Sequence, residues 1–184
     1  MSSRENATEW FPSDRTTPFL RRVRTLASEL LVHLVEPGET WETDYAGCLL
    51  MVDLPEVPDG KWPVITNHIQ VRWDDGFLGG YWGDTYLWDD FDERDEEALV
   101  VRGVPMTDDE AAEVAVSWLA RQLRRPLDHQ VWKKGDRVVA EKWVLSDTGR
   151  EVGRRGGRRA SRGSPTSTTR LRPTDAQRPP GGQS

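Results

Sequence analysis

The stretch VITNHIQVRWDDGFLGGY, residues 64–81, decides how this chain folds. From Val64 to Trp73 the side chains alternate. Ile65, Ile69, Val71 and Trp73 share one face, with Asn67 interrupting it, and Thr66, His68, Gln70 and Arg72 share the other, as the two-residue period of a strand requires. Asp74-Asp75-Gly76 is a turn signal, so Phe77–Tyr81 is expected to return antiparallel to the segment before it. Gly79-Gly80 inside that return marks a bulge or a close backbone approach.

Outward from this hairpin the signals change period. Towards the N-terminus, Tyr45–Asp53 is a short apolar run bounded by turns, as in a strand buried on both faces, and the proline-rich Leu54–Pro63 reads as a loop. Further back, Thr17-Pro18 reads as an N-cap followed by proline at the first helical position. Leu20, Val23, Ala27, Leu30, Leu31 and Leu34 then recur at three- and four-residue spacing until Pro37-Gly38, which predicts a first helix over about 18–35. Residues 1–16 show no periodicity beyond a possible anchor at Trp10 and Phe11.

Towards the C-terminus, Thr85–Trp88 and Ala98–Val104 read as strands on either side of an acidic loop, Asp89–Glu97. Thr107-Asp108-Asp109-Glu110 is a capping box, with acids at the positive end of the helix dipole and Arg121, Arg124 and Arg125 at the negative end. Ala111, Ala115, Trp118, Leu119 and Leu123 form the apolar stripe of a second helix over about 108–125. Gln130–Lys133 and Arg137–Leu145 make a second hairpin about Lys134-Gly135-Asp136, with His129 in the connection leading to it. After the Ser146–Gly149 turn a further strand is due. The chain instead enters arginine, glycine, serine, proline and threonine, with too little apolar content to offset the entropy of ordering.

Runs of strands between only two helices argue against a doubly wound parallel sheet. The expected class is α+β: an antiparallel sheet of about five to seven strands with two α-helices packed on one face. The expected organisation is a flexible lead-in (1–16), a single domain (17–152) and a disordered tail (153–184).

Charge sharpens that division. Residues 1–151 hold 17 Lys and Arg against 30 Asp and Glu, and residues 152–184 hold 8 Arg against one acid, so nets of -13 and +7 make up the formal -6. The body repels nucleic acid while the tail attracts polyanions. The single cysteine, Cys48, has no internal partner and lies in an apolar run, which suits a reducing compartment. No apolar leader and no apolar stretch near the length needed to cross a bilayer is read from the sequence, so a cytoplasmic location and no membrane partner are expected.

Chemistry-bearing residues concentrate in Trp73–Glu97, where ten acids accompany one base, Arg94, and seven aromatics. As a recognition surface, the aromatics would supply low-entropy anchors and the acids would steer a basic partner. The candidate contact residues are Trp82, Asp84, Tyr86, Trp88, Asp89, Asp90, Asp92 and Glu93. The competing reading puts the aromatics in the core and leaves the acids as a solvated loop.

No metal or cofactor is expected. Counted from Asp90, the calcium-loop pattern fails, with Asp95 where glycine is required and Val101 where the bidentate glutamate belongs. His33, His68 and His129 do not cluster, and neither a nucleophile elbow nor a phosphate-binding loop is present. An enzyme reading needs His68, Arg72 and one or two of Asp74, Asp75 and Asp84 to converge as base, cation and orienting carboxylate. The tail, with Arg154, Arg155, Arg158, Arg159 and Arg162 close together, offers weak, sequence-independent contact with nucleic acid. It carries no aromatic residue to stack on bases.

In size and charge, this small acidic, tryptophan-rich chain resembles the immunity or antitoxin-type proteins that neutralise basic toxins. That resemblance implies a non-enzymatic module binding a basic protein partner.

Overall fold

Thr17 and Pro18 begin the first helix as their chemistry requires. The Thr17 hydroxyl accepts a hydrogen bond from the Leu20 N–H, and α1 runs Pro18–Leu30 in the computed structural model of the chain. The structure describes residues 8–44, 47–57, 64–74, 76–83 and 91–172, with residues 64–66 described as backbone. The helix stops short of residue 35. Leu31 closes it, and a tight turn on the Leu31 carbonyl returns Val35 to the core, leaving Leu30 at 37% exposure.

The chain then divides into two compact units rather than one. The first comprises residues 1–55 and 67–123, and the second residues 56–66 and 124–184. The strands are β1 (Thr40–Thr43), β2 (Cys48–Val52), β3 (Val64–Thr66), β4 (His68–Asp74), β5 (Phe77–Gly83), β6 (Leu99–Arg102), β7 (Leu127–Lys134), β8 (Arg137–Leu145), β9 (Glu151–Arg155) and β10 (Ser167–Arg172). The second helix, α2, runs Asp108–Leu123.

The first unit is the α+β sandwich. Its sheet has the order β1-β2-β4-β5-β6, antiparallel throughout. The central hairpin is β4 and β5, with Trp73 opposite Leu78 and Val71 opposite Gly80. Ile69, Val71 and Trp73 face the helices: Trp73 stacks on Phe19 of α1, with ring centroids 5.9 Å apart. It also donates its indole N–H to Asp108 at the start of α2, at 2.9 Å. Both helices lie on this face. Phe19, Leu20, Val23, Leu26 and Ala27 of α1 are buried with Ala111, Ala112, Ala115, Val116, Trp118, Leu119 and Leu123 of α2. The capping box forms as its spacing demands: the Thr107 N–H donates to Glu110 Oε2 (2.8 Å) and the Glu110 N–H to Thr107 Oγ1 (3.3 Å).

Gly80 explains the glycine pair. A Cβ there would lie 2.9 Å from the Trp118 ring, so α2 comes down onto β5 only because the side chain is missing. The other sheet face is not the solvated one that its polar residues suggest, for Gln70, Leu49 and Met51 are fully buried on it. The five consecutive apolar residues of β2 need cover on both sides.

The lead-in carries no helix or strand over its described residues 8–16, yet Trp10 and Phe11 are buried. The Phe11 N–H donates to Thr40 Oγ1, Arg24 donates to the Phe11 and Ser13 carbonyls, and Arg15 donates to Glu42 and to the Gly47 carbonyl.

The second unit is a five-stranded antiparallel sheet in the order β10-β7-β8-β9-β3. Val64–Trp73 is therefore not one strand: Asn67 breaks it, and β3 joins this second sheet. His129 lies within β7, not in a connection. The tail expectation also needs correction over residues 153–172. The strand due after the Asp147–Gly149 turn is present as β9, and β10 adds to the far edge beside β7. β9 buries Val152, and both strands are otherwise held by backbone pairing and ion pairs: Lys142 to Glu151, Arg170 to Asp128 and Arg172 to Glu56. Among the described residues, no helix is long and apolar enough to cross a membrane.

Candidate functional site

The acidic and aromatic stretch separates into two populations. Its described aromatics serve the fold. Trp82 is 3% exposed and donates its indole N–H to Gln122 of α2 at 3.1 Å, so it is not available as a surface anchor. Tyr81 is equally buried, and Trp73 is held against Phe19. Phe91 meets the edges of Tyr81 (5.4 Å) and Phe77 (5.9 Å), and the Arg102 guanidinium lies 5.0 Å above the Phe77 ring. The strand period accounts for this division, since Trp82 shares the helix face with Trp73 while Phe77 and Tyr81 point the other way.

The acids after Phe91 face solvent. Asp92, Glu93 and Glu96 are exposed on a loop made of two consecutive turns. In each turn an aspartate carboxylate accepts from the backbone two residues on: Arg94 N–H to Asp92 Oδ1 at 2.9 Å, and Glu97 N–H to Asp95 Oδ1 at 3.0 Å. Backbone bonds from Asp95 to the Asp92 carbonyl and from Ala98 to the Asp95 carbonyl close them, and Arg102 pairs with Glu93. The loop is thus built from its own side chains and pinned by Phe91. It leads into β6, an edge strand that exposes Val100. Asp84, Tyr86, Trp88, Asp89 and Asp90 lie outside the described residues, as does the expected strand Thr85–Trp88.

The residues of the enzyme reading do not converge. His68 and Arg72 share one face of β4 but stand four residues apart, about 13 Å along a strand. Arg72 pairs instead with Asp74 at 2.9 Å. The carboxylate that His68 meets is Asp53, just past the end of β2: Nδ1 of His68 bonds Asp53 Oδ1, and Trp41 lies edge-on to the imidazole at 5.3 Å. Sequence gives no cue to this pair, because 15 residues separate its members and only the β2–β4 register unites them. Both side chains are largely buried, and the contact ties one strand end to the next.

His129 stacks on Trp143 at 4.7 Å and approaches Glu141, which also meets Arg155. Cys48 is buried, and that burial, reinforced by the nearby charge of Glu42, pushes its thiol up to about 12. Such a thiol is inert rather than nucleophilic. A cavity of about 290 Å³ borders it, lined among others by Arg15, Phe19, Trp73 and Asp108, whose polar groups already bond to one another or to neighbours. Among the described residues, no group of three or more His, Cys, Asp or Glu is placed to hold a metal ion.

No protein-family model, no curated protein and no solved structure matches this chain. The antiparallel α+β architecture and the acid-bearing loop are therefore the ground for any functional reading.

Proposed function

We propose that this chain is a non-enzymatic binding module that engages a basic protein partner through the acidic surface beginning at Asp84 and continuing through Glu93 to Glu96. The observation that carries the reading is the build of the Asp92–Glu97 loop. Its turns are closed by its own aspartates and Phe91 fixes it to the sheet, so Asp92, Glu93 and Glu96 are displayed without further ordering. A preorganised charged surface loses little entropy when a partner docks. The charge of the first unit, 9 Lys and Arg against 23 Asp and Glu, adds long-range attraction for a cationic protein and excludes acidic ones. Trp82 drops out of the contact set, while Tyr86 and Trp88 stay in it as aromatic anchors. An immunity or antitoxin-type role, in which the partner is a basic toxin, fits this chemistry. A cytoplasmic location belongs to the same proposal, on the ground of the lone buried thiol.

The test compares capture of native lysate proteins by the wild type and by a variant with Asp89, Asp90, Asp92 and Glu93 changed to Ala. Basic proteins are expected on the wild type, weakening as salt rises, and lost from the variant. Retention of the same set by both, or of nothing by either, overturns the reading.

A further inference from the structure

The two units differ in the sign of their charge. The second, residues 56–66 and 124–184, holds 16 Lys and Arg against 8 Asp and Glu, a net of +8 beside the -14 of the first. Many of its cations are internally paired: Arg125 with Asp147, Arg154 and Lys142 with Glu151, Arg155 with Glu141, Arg170 with Asp128 and Arg172 with Glu56. Among the described residues, Arg124 apart, the exposed remainder is gathered in one place. Lys133, Lys134 and Arg137 flank the β7–β8 turn, and Arg158, Arg159 and Arg162 sit on the β9–β10 connection.

That connection is ordered onto the same end of the sheet as the turn. Gly156 bends the chain out of β9 with φ of +88° where a Cβ would lie 2.6 Å from the Val139 carbonyl oxygen, a position open only to glycine. Trp132 donates its indole N–H to the Gly163 carbonyl at 3.2 Å, the Lys133 N–H donates to Thr166 Oγ1 at 2.9 Å, and the Thr166 N–H to the Val131 carbonyl at 2.7 Å. Ser161 is buried beneath the loop and donates to the Arg158 carbonyl. The six cations form no ion pair among the described residues, and Asp136 is the one acid between them in the β7–β8 turn.

We propose that this end of the second sheet is a site for the phosphate backbone of duplex nucleic acid. Four arginines among the six favour phosphate, whose oxygens match the guanidinium fork. The exposed hydroxyls of Ser164 and Thr166 add the short donors that typically accompany such contacts. A single strand is disfavoured because Trp132 and Trp143 are buried, leaving no exposed ring at this end among the described residues for a base to stack on. A membrane surface is disfavoured because Val138 is the one large apolar side chain exposed at this end among the described residues, too little to insert. Three of the arginines that the sequence assigns to a structureless tail, Arg158, Arg159 and Arg162, thus sit on an ordered loop at the same end of the sheet as the cations of the β7–β8 turn. This inference is independent of the acidic surface of the first unit.

The full chain is titrated against a fluorescein-labelled duplex DNA of arbitrary sequence between 25 and 200 mM salt, on the order of the range over which such contacts weaken steeply. Variants carry K133Q, K134Q and R137Q, or R158Q, R159Q and R162Q, and circular dichroism checks that each retains the wild-type spectrum. A chain ending at Arg172 separates the loops from the residues beyond. Binding is expected in the wild type and in the shortened chain, and each triple substitution should weaken it about tenfold or more at 50 mM salt, with the log–log salt slope falling by about 0.9 per contact removed. Absence of duplex binding at the lowest salt overturns the proposal. So does binding that neither triple variant weakens, or capture by phosphatidylserine vesicles without binding to the duplex.

Discussion

Gly80 and Cys48 show how far single residues are governed by what packs on them. The Trp118 ring occupies the space of a Gly80 side chain, so Gly80→Ala must push an entire indole aside in a closed core. The expected cost is about 1–3 kcal/mol, read as a lower urea midpoint at unchanged slope. Cys48 should behave as a buried apolar group. With its thiol pushed up to about 12 and its side chain shielded, it should resist a thiol-specific reagent at pH 8 in the native protein and react stoichiometrically once urea unfolds the chain. The glycine pair signals a bulge or a close backbone approach in the sequence, but what meets Gly80 is the Trp118 side chain, in a strand that pairs without a bulge. The same holds for His68. Its place on the polar face follows from alternation, but its partner Asp53 follows only from strand pairing.

At the scale of elements, helices were more legible than strands. Both helix starts are written in a few adjacent residues, Thr17-Pro18 and Thr107 with Glu110, because caps are local chemistry. The ends of the chain's last strands are not. Val152 and Gly153 are the buried residues of β9, and β10 is almost wholly exposed, so hydrophobic pattern underestimates both. Their stability draws on ladder hydrogen bonds and on carboxylate–arginine clasps, which gives it a pH dependence. Partial burial raises the carboxyls of Asp147 and Glu151, but Arg125 acting on the first, and Arg154 with Lys142 on the second, outweigh it and hold both below the ordinary range. A depressed folded-state value means stability that is present above the unfolded carboxyl value of about 4 and is lost as pH falls through the folded values. Thermal unfolding should therefore drop on acidification below about pH 4. Arg125→Gln with Arg154→Gln should lower stability at pH 7 and flatten that acid limb.

For the whole molecule, the charge division read from sequence survives with a different boundary. A cut between body and tail assigns nets of -13 and +7, whereas the units of the fold carry -14 and +8, because β3, β7 and β8 belong with the tail strands. The proposed surfaces follow that boundary, one acidic loop in the first unit and one basic end in the second. By itself the sequence determined the class of the fold, both helices, the central hairpin and the existence of two opposite charge fields. These rest on composition, on periods of 2 and 3.6, and on capping residues that act within a few positions of themselves. Only the tertiary structure decided that Trp82 is core, that His68 meets Asp53, that β3 leaves the first sheet and that the arginine-rich segment pairs with β7 and β8. Each of those outcomes depends on strand register between segments distant in the chain, where a backbone N–H finds its carbonyl regardless of which side chain it carries.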